Sequence, residues 1–118
     1  MIELTTFGAV MKFAIELEET CIKNYEAQNK LLYEKHKKRK SLLEKIRRER
    51  LNEILLEPIT GLNANDYEIK NISEMEEKIG KFYADLSKIA RAFSPEVSRI
   101  FEKLSAENIS FKAIVNER

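Results

Sequence analysis

Apolar residues recur at helical intervals along most of this chain. Phe7, Val10, Met11, Ala14, Leu17, Cys21 and Tyr25 fall three and four apart, the spacing that lines one face of an α-helix. Met75, Ile79, Phe82, Leu86, Ile89 and Phe93 repeat the pattern, and Val97, Ile100, Leu104, Phe111 and Ile114 repeat it again. Thr5 or Thr6 can cap the first of these helices. Ser73, with Glu76 three residues on, has the spacing of a capping box. Ser94 followed by Pro95 places a cap before a proline at the first helical position. Pro58 to Asn71 holds Pro58, Gly61, Asn63, Asn65 and Asp66 and no sustained period, so it is a connector. It is longer than the roughly 2–8 residues that usually join neighbouring antiparallel helices. A connector of that length can cross a bundle and start the third helix at the end where the second stopped.

The end of the first helix carries no Gly or Pro, because Leu31, Leu32 and Tyr33 continue the period. An internal repeat supplies a boundary. Leu17-Glu18-Glu19 followed by Tyr25 recurs as Met75-Glu76-Glu77 followed by Tyr83, an offset of 76 − 18 = 58. The same offset carries Leu42-Leu43-Glu44-Lys45-Ile46 onto Ile100-Phe101-Glu102-Lys103-Leu104, Glu49 onto Glu107 and Asn52 onto Ser110. The chain therefore reads as two copies of a helical hairpin. Subtracting 58 from the break at Phe93–Glu96 predicts the first corner at Lys35 to Lys38 and a second helix from about Lys38 to Leu56. The expected architecture is a single all-α four-helix domain over 1–118. Its hairpins span about 5–56 and 73–116, with a crossover at 57–72.

Each predicted helix interrupts its apolar face with a glutamate. Glu18 shares a face with Ala14, Cys21 and Tyr25, and Glu76 with Ile72, Ile79 and Tyr83. Glu107 sits among Ile100, Leu104, Phe111 and Ile114, while Glu49 follows Leu42 and Ile46 and precedes Leu56.

With these residues in view, the chain resembles the rubrerythrin branch of the ferritin-like superfamily. In that family the first and third helices carry a metal-ligand glutamate and, about two turns on, an aromatic pair ending in tyrosine; here Glu18 precedes Asn24-Tyr25 and Glu76 precedes Phe82-Tyr83. The second and fourth helices of the family carry Glu-x-x-His, and the distance from tyrosine to that glutamate agrees in both halves, 49 − 25 = 24 and 107 − 83 = 24. The resemblance implies a ferritin-like four-helix bundle with Glu18, Glu49, Glu76 and Glu107 at the metal-ligand positions. The family's histidines fall on Asn52 and Ser110, so only oxygen ligands survive. The cysteines of a rubredoxin-type iron site are missing.

Ionised carboxylates in a dry core must be answered, since each uncompensated buried charge costs several kcal/mol against a typical net stability of about 5–15 kcal/mol. Two divalent cations would match four negative charges. An oxygen-only set favours Mn, Mg or Ca over the mixed nitrogen and oxygen site that suits Fe redox chemistry, with Asn52 and Ser110 as weak ligands or supports. The same acids need no metal if they share protons or bond to Tyr25, Tyr83, Asn52, Ser110 and Arg50.

Composition narrows the remaining classes. Net charge is +1, which gives no global pull towards nucleic acid or membrane. A basic run from Lys35 to Arg50 stands out locally, without the interleaved aromatics or Gly turns of a nucleic-acid reader. His36, inside that run, reads as solvated. Cys21 is the single cysteine, so no internal disulfide or thiolate zinc cluster can form, and it reads as a small buried residue. Tyr25 and Tyr83 read as core residues with a hydroxyl partner. No apolar run approaches the ~20 residues of a membrane span, and the N-terminus lacks the layout of a signal peptide, so a reducing cytoplasm is expected.

The functional expectation is a degenerate rubrerythrin relative. Its core glutamates are structural or bind a non-redox divalent ion, oxidase activity is not expected, and it associates as a dimer through a helical face. The first alternative is an active di-metal oxidase, peroxidase or iron-handling protein. The second is nucleic-acid or phosphate binding through residues 35–50.

Overall fold

The computed structural model describes residues 3–54, 59–92 and 94–116, and these residues are all-α. Four α-helices are present among them: α1 Phe7–Tyr25, α2 Lys30–Ile54, α3 Met75–Ala90 and α4 Pro95–Asn116. Short 3₁₀ turns at Ala64–Tyr67 and Ile72–Glu74 punctuate the connector. The chain forms two compact units, Leu4–Thr60 in one, and Met1–Glu3 with Gly61–Arg118 in the other.

The first unit is the antiparallel α1–α2 hairpin. Thr6 caps α1, its Oγ1 accepting from the Ala9 N–H at 3.0 Å. The buried face of α1 is the one the sequence predicts: Phe7, Val10, Met11, Ala14, Leu17, Cys21 and Tyr25. The predicted corner at Lys35 to Lys38 is wrong. The chain turns at residues 26–29, and α2 begins at Lys30. The stop is made by a polar cap rather than by Gly or Pro. The Asn29 N–H donates to the Tyr25 carbonyl at 2.9 Å, closing α1. The Asn29 Oδ1 then accepts from the Leu32 N–H at 3.1 Å, opening α2. Once α2 starts at Lys30, Leu32, His36, Arg39, Leu43 and Ile46 fall on one face three and four residues apart, and all five are buried. At the end of this unit the Ile59 N–H donates to the Thr5 carbonyl at 3.0 Å.

The second unit is the antiparallel α3–α4 hairpin with the connector folded onto it. Tyr67 packs edge-on against Phe82, ring centroids 5.1 Å apart, and its hydroxyl donates to Asp85 Oδ2 at 2.7 Å. Gly61 takes φ +89, a conformation that residues with a Cβ rarely adopt. A single antiparallel bridge joins Glu3 to Asn63. The Ser94–Pro95 start of α4 is as the sequence predicts, with Ser94 Oγ accepting from the Val97 N–H at 3.3 Å. The capping box at Ser73 does not form. Ser73 bonds to Asn71, residues 72–74 are 3₁₀, and α3 begins at Met75.

Near its corner this hairpin is closed by a reciprocal pair. Ser87 Oγ donates to the Ser98 carbonyl at 2.8 Å and Ser98 Oγ donates to the Ser87 carbonyl at 2.7 Å. Each hydroxyl spends its one proton on the facing backbone. Further along, Ser105 Oγ donates to the Gly80 carbonyl at 2.9 Å. The helices approach so closely there that a Cβ on Gly80 would lie 3.0 Å from Asn108 Cβ. Tyr83 stacks on Phe101, centroids 5.8 Å apart, and fills the core between these contacts. Of the residues predicted to face inward, Ile89, Ile100 and Ile114 are half-buried, while Leu56 and Phe93 lie outside the described residues.

Candidate functional site

Each hairpin buries one carboxylate from its first helix. Glu18 on α1 is fully buried, and Glu76 on α3 is 3 % exposed. In both cases a partner comes from the second helix of the same hairpin, and the two partners differ in chemistry.

In the first hairpin the partners are ionisable. His36 Nδ1 lies 2.5 Å from Glu18 Oε1, both side chains fully buried. This short contact holds the ring in one orientation. Arg39, one turn further along α2 and 4 % exposed, places Nη1 3.6 Å from Glu18 Oε2. That distance is beyond an ordinary hydrogen bond but within ion-pair range, and its effect is strengthened by the absence of water. Tyr25 stacks on the imidazole with centroids 5.6 Å apart, giving it an aromatic wall. Cys21 Sγ and a ring nitrogen of His36 lie within 4.8 Å of one another. Glu18 and Cys21 on α1 and His36 and Arg39 on α2 are thus all buried within the first hairpin.

Across the second hairpin the acid meets an amide. Asn108 Nδ2 donates to Glu76 Oε1 at 2.8 Å, and Asn108 is itself 2 % exposed. Beside this bond runs a cavity of about 350 Å³ between α3 and α4, bordered by Gly80, Ala84, Ser105 and Ile109. The nearby Tyr67 hydroxyl has its pKa pushed well up, first by burial and then by its bond to Asp85, both of which favour the protonated phenol.

The four glutamates expected to face inward are not equivalent. Glu49 is exposed, about 20 Å along α2 from His36 at 1.5 Å per residue. The inward expectation for it fails because Glu49 is off the Leu32–His36–Arg39–Leu43–Ile46 face. Glu107 is half-buried, one residue before Asn108, and Ser110 is exposed. The side chains of Asn52 and Arg50 lie outside the described residues.

The expectation that His36 is solvated is also overturned. With the corner placed at Lys35–Lys38, His36 falls on a loop; with α2 starting at Lys30, it falls on the core face. The signal was present in Asn29, a cap residue three positions before Leu32. The rest of the basic run divides by the same helical phase. Lys35, Lys37, Lys38, Lys45, Arg47 and Arg48 are exposed, while Lys40 reaches back to Glu19 at 3.1 Å.

The fold and site together define an all-α protein of two helical hairpins, each with a buried acid tied across its two helices. No described helix is long and apolar enough to cross a membrane. Comparison with protein families, with curated proteins and with solved structures finds no match.

Proposed function

We propose that this chain is a rubrerythrin-related helical protein that answers its core carboxylates with its own side chains, and that it serves as a structural or binding module without oxidase activity. The observation that carries this reading is the position of Arg39. A guanidinium 3.6 Å from Glu18 supplies the positive charge that a divalent ion would otherwise bring, and it repels a cation approaching the same oxygen. His36 occupies the other oxygen at 2.5 Å. Asn108 gives Glu76 a hydrogen bond from an uncharged amide. The ferritin-like ancestry rests on the glutamate and tyrosine spacing of α1 and α3.

The test is elemental analysis of protein purified without chelator, together with Fe(II) oxidation in air. Metal far below one ion per chain and no ferric absorbance with turnover are expected. About two metal ions per chain, lost in Glu18→Gln, would overturn the reading.

A second reading is favoured by Cys21 and His36, a sulfur and a nitrogen donor within 4.8 Å of one another. Sulfur with nitrogen suits zinc rather than the manganese, magnesium or calcium of an oxygen-only set. Glu18 on Nδ1 would then play the orienting part that carboxylates play behind metal-bound histidines. Co(II) added to the protein separates the two readings. Intense thiolate-to-cobalt absorption, lost in Cys21→Ser, selects the metal site, and no absorption selects the metal-free one.

A further inference from the structure

We infer that the groove between α3 and α4 is a self-association face that takes Ile109 from a second copy of this chain. The inference goes beyond the metal-free reading of the core and does not depend on it.

Ile109 is 73 % exposed, more than any other large apolar residue among those described; Leu31 follows at 53 % and Ile72 at 38 %. An isolated exposed apolar side chain needs no explanation. This one borders a cavity of about 350 Å³ whose α3 side includes Gly80 and the short side chain of Ala84. A protruding apolar group and an apolar recess therefore lie on one patch. That is what a two-fold interface requires, because each copy must offer both halves of every contact.

The charges on the patch are self-complementary in the same sense. Glu77 and Lys81 lie one turn apart on the exposed edge of α3, so two copies of α3 crossing antiparallel near Gly80 bring Glu77 of each opposite Lys81 of the other. Lys112, paired to Glu77 at 3.1 Å, completes a polar rim around the recess.

The size of the face sets the strength. A 16-residue α3 is about 24 Å long, and two helices side by side present about 20 Å of width, or about 500 Å² per copy. A standard stable interface uses about 800 Å² per partner, so the dimer should be weak, with a micromolar dissociation constant. A small apolar ligand would fit the recess but would make no use of the Glu77 and Lys81 charges at its edge, which among the described residues of the single chain reach only Lys112 at 3.1 Å and the Tyr67 ring at 5.8 Å.

Sedimentation equilibrium of the full chain, from about 1 μM to about 300 μM, tests this directly. Wild type should move with concentration from 13.8 kDa to twice that mass. Ile109→Glu changes a side chain that the fold leaves in water, so its circular dichroism should match wild type while its dissociation constant rises at least roughly tenfold. Glu77→Lys alone should weaken the dimer, and adding Lys81→Glu should restore it. A monomer at every concentration, or a dimer indifferent to Ile109→Glu, would overturn the inference. So would a charge-swap pair no better than the single variant.

Discussion

The two hairpins share a frame and differ in what they place at its centre. Glu18 and Glu76 are related by an offset of 58, and so are Glu19 and Glu77, which make exposed ion pairs with Lys40 and Lys112 at 3.1 Å in both cases. The second helices, however, follow another offset: 112 − 40 = 72, and likewise 108 − 36 = 72 for Asn108 and His36. The excess, 72 − 58 = 14, is seven residues added to each arm of the second hairpin between the acid and the corner. Seven residues are close to two helical turns, so the extension lengthens the arms and leaves the facing residues in phase. Within that common frame His36 becomes Asn108. Arg39 becomes Phe111, which is 5 % exposed. Across the first hairpin the acid meets an imidazole and a guanidinium; across the second it meets an amide, with a hydrocarbon ring at the position of the guanidinium.

The difference should show most strongly when a partner is removed. Arg39→Met keeps the aliphatic stem but leaves Glu18 without its nearby cation, and loss of one member of a buried ion pair typically costs about 3–5 kcal/mol. Asn108→Leu removes one hydrogen bond to Glu76 and should cost about 1–3 kcal/mol. Urea unfolding of both variants checks the ranking, and Glu18→Gln combined with Arg39→Met should recover most of the first loss. Equal costs in the two hairpins would show that the guanidinium contributes no more than an amide.

A smaller effect belongs to the second hairpin alone. The Tyr67 phenol is protonated more tenaciously when folded than when unfolded, because of burial and its bond to Asp85. Its raised folded pKa means that its contribution is complete below the ordinary tyrosine value of about 10 and is lost as pH climbs above it. Stability measured against pH should therefore fall in alkali in wild type, and that part of the fall should vanish in Tyr67→Phe. Smallest of all are the matched surface pairs. Lys40→Ala and Lys112→Ala should each cost less than about 1 kcal/mol and should be nearly equal in urea unfolding, since the geometry of the two pairs is the same.

Much of the frame was legible because it rests on local rules. Thr6 and Ser94 bond to backbone groups within three residues, Pro95 has a fixed φ, and the α1 and α3 faces repeat a strong apolar period. The first corner was not legible in the same way. Asn24-Tyr25-Glu26 and Asn29-Lys30-Leu31-Leu32 preserve helical spacing across the turn, and only the cap bond from Asn29 distinguishes a stop from a continuation.

That one boundary carried most of the site with it. A single offset of 58 applied to both helices placed His36 at a corner and put Glu49 in the core. The seven-residue extension in each arm shows why one register could not describe both helices. The pairing of Glu18 with Arg39 was obscured for a further reason: a basic run reads as solvated unless its helical phase is known.

One consequence follows from Cys21, a thiol outside any disulfide that is fully buried in α1 and is the only sulfhydryl in the chain. Alkylation requires an opening that uncovers it, and the second hairpin contributes no background. The labelling rate of the native protein is thus a clock wound into one half of the molecule. It reports openings that uncover this face of α1, under conditions where bulk spectroscopy sees only the folded state.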